Sequence, residues 1–332
     1  DGKVYVLDSG KNTLQILACE PGDAPLLSPT SPLPSVEALN DISRGVNALA
    51  MDKRLWGLSG DSLSAVGVIA GRKIGSTGSE PGLLKNPAGF AIDGRGNFWV
   101  SDTGNDRVQK FSLEGNLLQV VGKTGAGEGE FHAPSAVAVS PRGNIFVADT
   151  GNKRIQVFSA KGMFLGMFGK PGRLAGQFWE PLDLAVDSSE IVYVVDRGNV
   201  RISKYDSTGT LLWEAGRAGR QDGEFKAPRN ILVSPDGEVY VLDSDNARVQ
   251  VFSSQGKFLR KFGSEGKGPG EFRSPAGLAL EGGVRLYVGD RGNSRVQVLG
   301  LKQTPAVPAD VTAQARVNEI QLSWKPNSET YL

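Results

Sequence analysis

Short runs in which apolar side chains alternate with polar ones recur along the chain, and each run is bounded by Gly, Asn, Asp or Pro. Five of them align without gaps: FWVSDTGNDRVQKF, IFVADTGNKRIQVF, VYVVDRGNVRISKY, VYVLDSDNARVQVF and LYVGDRGNSRVQVL. Their aspartates, Asp102, Asp149, Asp196, Asp243 and Asp290, are each 47 residues from the next. Period-two alternation broken by Gly-Asn turns is the signature of antiparallel hairpins. A fixed period of this length is the signature of a repeat architecture. Two weaker copies precede them, VYVLDSGKNTLQIL with Asp8 and LWGLSGDSLSAVGV around Ser59, the latter without the aspartate.

One full unit predicts four strands. The first covers 136–140 and follows a proline; the turn Gly143-Asn144 leads to the second, 145–148. The loop 150–153 leads to the third, 154–158, and the turn Lys161-Gly162 to the fourth, 164–168. The glycine-rich segment GKPGRLAGQFWEP then crosses to the next unit. A four-stranded sheet cannot bury both faces alone, so the units must stack. Repeats of this length and strand number predict an all-β fold, a β-propeller of four-stranded antiparallel blades. The lack of any helical period excludes an α-solenoid. Seven second-strand motifs favour seven blades; six result if the N-terminal hairpin packs elsewhere.

The pattern apolar-apolar-Val-x-Asp-x-Gly-Asn-x-Arg-apolar-Gln-x-Phe, preceded by Phe-x-x-Pro, resembles the NHL repeat. The resemblance spans 1–300, with 44–75 divergent. It implies a propeller and leaves activity open, because that family includes protein binders, RNA binders, sensor domains and a few lyases. Residues 301–309 read as a stiff Pro-containing linker. Residues 310–332 resemble the opening strands of a fibronectin type III domain, with Trp324 in its core position, and such a domain needs about 100 residues. The chain opens in mid-repeat, so both ends are expected to be cuts.

Composition narrows the chemistry. Forty-four glycines suit many tight turns. With 37 basic and 36 acidic residues the formal charge is +1, so nucleic acid is not the expected partner. One cysteine, Cys19, rules out an internal disulfide and a cysteine metal cluster. No apolar run is long enough to cross a membrane, and no membrane insertion is expected. Gly122-Lys123-Thr124 fails as a phosphate loop, because Leu117 stands where a glycine is required and no helix follows. No Gly-x-Ser-x-Gly elbow is present.

The pairs Asp102–Arg107, Asp149–Arg154, Asp196–Arg201, Asp243–Arg248 and Asp290–Arg295 flank the loop of one hairpin each, so they can meet across adjacent strands. A group present in every repeat cannot mark one site, and these pairs read as structural clamps. The phenylalanines of Glu/Gln-Phe-x-x-Pro (Phe131, Phe178, Phe225, Phe272) read as plugs between blades. Candidate ligand contacts are the positions that break the repeat where the fourth-to-first crossings and second-to-third loops meet: His132, Trp179, Asp183, Arg229 and Asn230. Arg229-Asn230 leads, because other repeats have Ala88-Gly89, Ser135-Ala136 and Ala276-Gly277 there.

These readings favour a non-catalytic module binding a protein or peptide at the channel mouth, with no cofactor and no metal. The fibronectin-like segment favours a secreted, periplasmic or cell-surface setting. One alternative is a lyase- or lactonase-like enzyme with a divalent ion held by Asp183, Glu180 and His132. A second is RNA binding through Arg217, Arg220, Lys226 and Arg229, interleaved with Glu214, Asp222 and Glu224.

Overall fold

In the computed structural model, residues 73–301 are described continuously, with side chains from 74 onward. Outside that span the description covers strands alone, at 3–8, 13–18, 48–51, 55–59, 62–65, 309–316 and 319–325. These include a two-stranded sheet of β1 (Lys3–Asp8) and β2 (Thr13–Ala18). They also include a four-stranded sheet of β3 (Ala48–Met51), β4 (Leu55–Ser59), β5 (Ser62–Ala65) and β6 (Lys73–Ile74).

Five blades follow. Strands β7 (Gly89–Ile92), β8 (Phe98–Asp102), β9 (Arg107–Phe111) and β10 (Leu117–Val121) form the first. The second is β11 (Ala136–Val139), β12 (Ile145–Asp149), β13 (Arg154–Phe158) and β14 (Phe164–Phe168). The third is β15 (Pro181–Val186), β16 (Val192–Asp196), β17 (Arg201–Tyr205) and β18 (Leu211–Ala215). The fourth is β19 (Pro228–Val233), β20 (Val239–Asp243), β21 (Arg248–Phe252) and β22 (Phe258–Phe262). Two short parallel strands, β23 (Ser264–Glu265) and β24 (Glu271–Phe272), pin the next crossing. The fifth blade has three strands, β25 (Leu278–Glu281), β26 (Arg285–Asp290) and β27 (Arg295–Gly300). All pairings within these blades are antiparallel.

First strands neighbour one another from blade to blade, β7 beside β11, β11 beside β15, β15 beside β19 and β19 beside β25. Strand β3 lies beside both β7 and β25. The readings of a sixth or seventh blade rest on 1–72, whose side chains lie outside the described residues. After the fifth blade, β28 (Ala309–Arg316) pairs with β29 (Glu319–Lys325) as an antiparallel hairpin; the linker reading of 301–309 lies almost wholly outside the described residues.

Second strands are buried along their whole length because a blade covers each face. The fourth strands β14 and β22 alternate half-buried and exposed, as the outer rim requires. The blades are joined by cores that draw on two neighbours. Phe178 is fully buried with Phe146, Ala148 and Ile155 of the second blade and Val192, Val194 and Tyr205 of the third. Phe131 and Phe225 hold the equivalent places, with ring partners Phe158 at 5.5 Å and Phe252 at 5.7 Å. Burying each such ring stabilises by about 2–3 kcal/mol. Gly169 passes directly over Phe178 at φ 87°, where any Cβ would overlap the ring, so the crossing must begin with glycine.

Candidate functional site

The first strands enclose an axial channel of about 440 Å³. Most of its wall is aliphatic, for example Val137, Val139, Ile231 and Leu280. Asp183, Arg229 and Asn230 are part of the lining, so three of the five candidate contacts come together there.

The local sequence explains how they reach it. Strands β15 and β19 open on Pro181 and Pro228, and each shifts register immediately: Pro181 pairs with Asp196 and Asp183 with Val195, while Pro228 pairs with Asp243 and Asn230 with Leu242. Leu182 and Arg229 are therefore the extra residues of β-bulges, which re-aim side chains at the rims of sheets. Asp183 and Asn230 occupy the same place in adjacent blades and bond to each other. Asn230 Nδ2 donates to Asp183 Oδ2 at 3.1 Å, and the Ile231 N–H donates to the same oxygen at 3.0 Å. Asp183 Oδ1 accepts from the Leu184 N–H at 2.9 Å. Asn230 Oδ1 accepts from the Gly277 N–H at 3.0 Å, so one polar chain links three blades. Burial pushes the Asp183 carboxyl up to about 6, against the opposing pull of these donors and of Arg229.

Arg229 is half-buried, and its guanidinium has no hydrogen-bond or ion-pair partner among the described residues. Burial, followed by the like charges of Arg291 and Arg197, lowers its pKa. Sequence reasoning missed those two arginines. They occupy the position directly after the clamp aspartate, where the other repeats carry Thr103, Thr150 and Ser244. There Thr103 Oγ1, Thr150 Oγ1 and Ser244 Oγ donate to Pro134, Pro181 and Pro275 carbonyls of the next blade at 2.7, 2.6 and 2.6 Å. The exchange of a hydroxyl for a long cation in two repeats was the available signal.

His132 and Trp179 do not line the channel. Both follow the inter-blade phenylalanine and are exposed, and their backbone N–H groups donate to Asp149 and Asp196. The Arg173 guanidinium stacks over the Trp179 ring, 5.2 Å from its centroid. Glu180 accepts from Arg197 at 3.3 Å. No group of three His, Cys, Asp or Glu side chains among the described residues could hold a metal ion, so Asp183, Glu180 and His132 form no such cluster. Of the basic candidates, Arg217 pairs with Glu224 at 2.9 Å. Lys226 and Arg220 line a second cleft of about 460 Å³ with Arg273, Asp245 and Glu265.

The clamp residues face each other directly across their hairpins. Arg107 Nε reaches Asp102 at 2.7 Å, Arg154 reaches Asp149 at 2.7 Å, Arg248 reaches Asp243 at 3.1 Å and Arg295 reaches Asp290 at 2.8 Å. Every one of these aspartates is fully buried. Each also receives a nearby asparagine amide, and a backbone N–H from the crossing, such as Lys85 N at 2.7 Å on Asp102. The same arginines donate to crossing carbonyls, Arg154 to those of Ala126, Gly127 and Glu130.

The third blade departs from the expected pairing. Arg201 makes no ion pair with Asp196 and binds Glu214 at 3.1 Å, leaving its Nε without a hydrogen-bond partner. The reason is a linked exchange. Where other repeats have Gln109, Gln156, Gln250 and Gln297, whose Oε1 accepts a crossing glycine N–H, this one has Ser203. Glu214 fills the gap, accepting from the Gly176 N–H at 3.1 Å and from Ser203 Oγ at 3.3 Å, and it draws the guanidinium toward itself.

Comparison with known proteins agrees with this architecture. The NHL repeat model matches 84–111 and 131–158, and a family described as a 6-bladed beta-propeller matches 220–327. The latter match overlaps residues 310–327, where the fibronectin-like reading gains no support. No curated protein matches the sequence significantly. Among solved structures, virginiamycin B lyase from Staphylococcus aureus is 13% identical with a TM-score of 0.60, over 91% of this chain and 92% of that one. A gluconolactonase from Xanthomonas campestris is 15% identical with a TM-score of 0.58, over 80% and 92%. A chain of a nidogen/laminin complex is 16% identical with a TM-score of 0.50, over 78% and 92%. At these identities the likeness is one of fold. The chain is an all-β propeller that carries NHL repeats.

Proposed function

We propose that the protein is a binding module that holds a polypeptide at the channel mouth. The observation that carries this reading is Arg229, a half-buried cation on a bulge beside the buried Asp183, whose guanidinium makes no hydrogen bond or ion pair among the described residues. Other repeats fill the position with Ala88, Ser135, Leu182 or Ala276. The bound chain of Asp183, Asn230 and Gly277 gives the wall a rigid polar edge beside it. A concave site with a few fixed polar groups over an aliphatic wall suits a polar ligand inserting one side chain. The similar fold of a chain in a nidogen/laminin complex is in keeping with this reading. Panning a displayed peptide library against the full chain and against Asn230→Trp tests the reading. Enrichment that Asn230→Trp abolishes is expected; identical enrichment by both would sink it.

One observation favours a second reading. A carboxyl titrating at about 6 inside a channel, with a guanidinium beside it, is suited to proton transfer near neutral pH. Similar folds occur in a lyase and a gluconolactonase. Lactone hydrolysis by the wild type that is lost in Asp183→Asn would move the assignment to an enzyme.

A further inference from the structure

We infer that the channel mouth is a carboxylate-recognition site, anchored by Arg229 and flanked by Arg197 and Arg291 from the adjoining blades; the inference rests on the polypeptide reading and specifies what the polypeptide presents. Arg229 is placed at the mouth by its bulge and has no bonded partner among the described residues. Arg197 and Arg291 stand where Thr103, Thr150 and Ser244 lean onto the next blade's opening proline. For Arg197 that proline is Pro228, the residue before Arg229. Three guanidinium groups thus come from three consecutive blades.

The nearby carboxylates, Asp183 and Glu180, pull on the Arg229 guanidinium without bonding to it, because their oxygens are hydrogen-bonded elsewhere. Asp183 spends its oxygens on Ile231, Asn230 and Leu184, and Glu180 is paired with Arg197. Arg229 and Arg291 are left to meet an incoming anion. Burial of Arg229 and the like charges of Arg291 and Arg197 outweigh the pull of Asp183 and Glu180 on its guanidinium, and an incoming anion would offset both. A guanidinium fork matches carboxylate and phosphate alike. Carboxylate is the anion that a polypeptide itself carries, on Asp, Glu and its C-terminus, so the polypeptide reading selects it over phosphate.

The test follows the arginine Nε–H signals of the full chain by NMR during titration with acetate, acetamide, inorganic phosphate and hexaglutamate. Expected are saturable shifts of Arg229, Arg197 and Arg291 with acetate and none with acetamide. Hexaglutamate should bind more tightly than acetate. Arg229→Gln should weaken hexaglutamate by about tenfold or more, consistent with loss of a charge-assisted pair, while Lys226→Gln, outside the channel, leaves it unchanged. No saturable acetate shift, or equal losses in Arg229→Gln and Lys226→Gln, would overturn the inference. Phosphate binding more tightly than acetate would also overturn it and assign the site to phosphate groups. Peptides enriched in panning that lack acidic residues and bind Arg229→Gln undiminished would leave the polypeptide reading standing while removing this one.

Discussion

At the level of single residues, the decisive chemistry lies at positions 183, 229 and 230. Asp183 is raised to about 6 in the folded chain from an ordinary 3.8. The native state therefore holds a proton that the unfolded chain releases between those values. Stability should fall as pH rises from about 4 to 6, by up to about 3 kcal/mol at 1.36 kcal/mol per unit. Asp183→Asn should flatten this slope, which chemical denaturation at several pH values would reveal; an unchanged slope would mean another group is responsible. Asn230→Ala strands the Gly277 N–H and removes one of the Asp183 donors, and should cost about 1–3 kcal/mol in the same assay. Arg229→Gln, by contrast, breaks no bond in the ring and should leave stability within about 0.5 kcal/mol of wild type.

At the level of the blade, the informative element is the third. Its Ser203 and Glu214 replace the glutamine of the other clamps, and Arg201 is re-aimed as a consequence. Glu214→Met alone removes the partner of a nearly buried arginine and should destabilise by roughly 2–4 kcal/mol. Adding Ser203→Gln recreates the pair found in the second blade, Gln156 with Met167, where Arg154 binds Asp149. The double variant should recover at least about 1 kcal/mol relative to Glu214→Met, a coupling that a double-mutant cycle measures directly. Additive losses would show that the two exchanges are independent. The second-to-third turn of this blade also forces Val200 to φ 56°, a region that costs an L-residue about 1–2 kcal/mol, and most for a branched one.

At the level of the whole molecule, the question is how the ring closes. Strand β3 lies beside both β7 and β25, and the matched family is described as six-bladed. With sheet β3–β6 as the sixth member, residues 48–301 would contain every blade. A fragment of those residues should then unfold in one cooperative transition with the β-sheet spectrum of the full chain. If 1–18 supply a seventh blade, the fragment should instead lose cooperativity, since an open ring leaves two blade faces bare.

The repeat, its four strands per unit, the inter-blade phenylalanines and the facing Asp/Arg positions were all legible in the chain. Each follows from local rules: alternation for strands, Gly-Asn for turns, and a spacing that returns the same residue to the same place. Recurrence made them readable, because an error in one copy is corrected by four others. The exceptions were not. That Arg201 turns to Glu214 depends on two positions on different strands, and neither is anomalous alone. That Asp183, Arg229 and Asn230 share one wall, while Trp179 and His132 stay outside it, depends on bulges and on which strand faces the axis. The cations at 197 and 291 join Arg229 only because packing of the blades brings two turns and one bulge, distant from each other in sequence, to one opening. Local pattern specifies the blade; the convergence of unlike residues at the mouth arises from packing between blades.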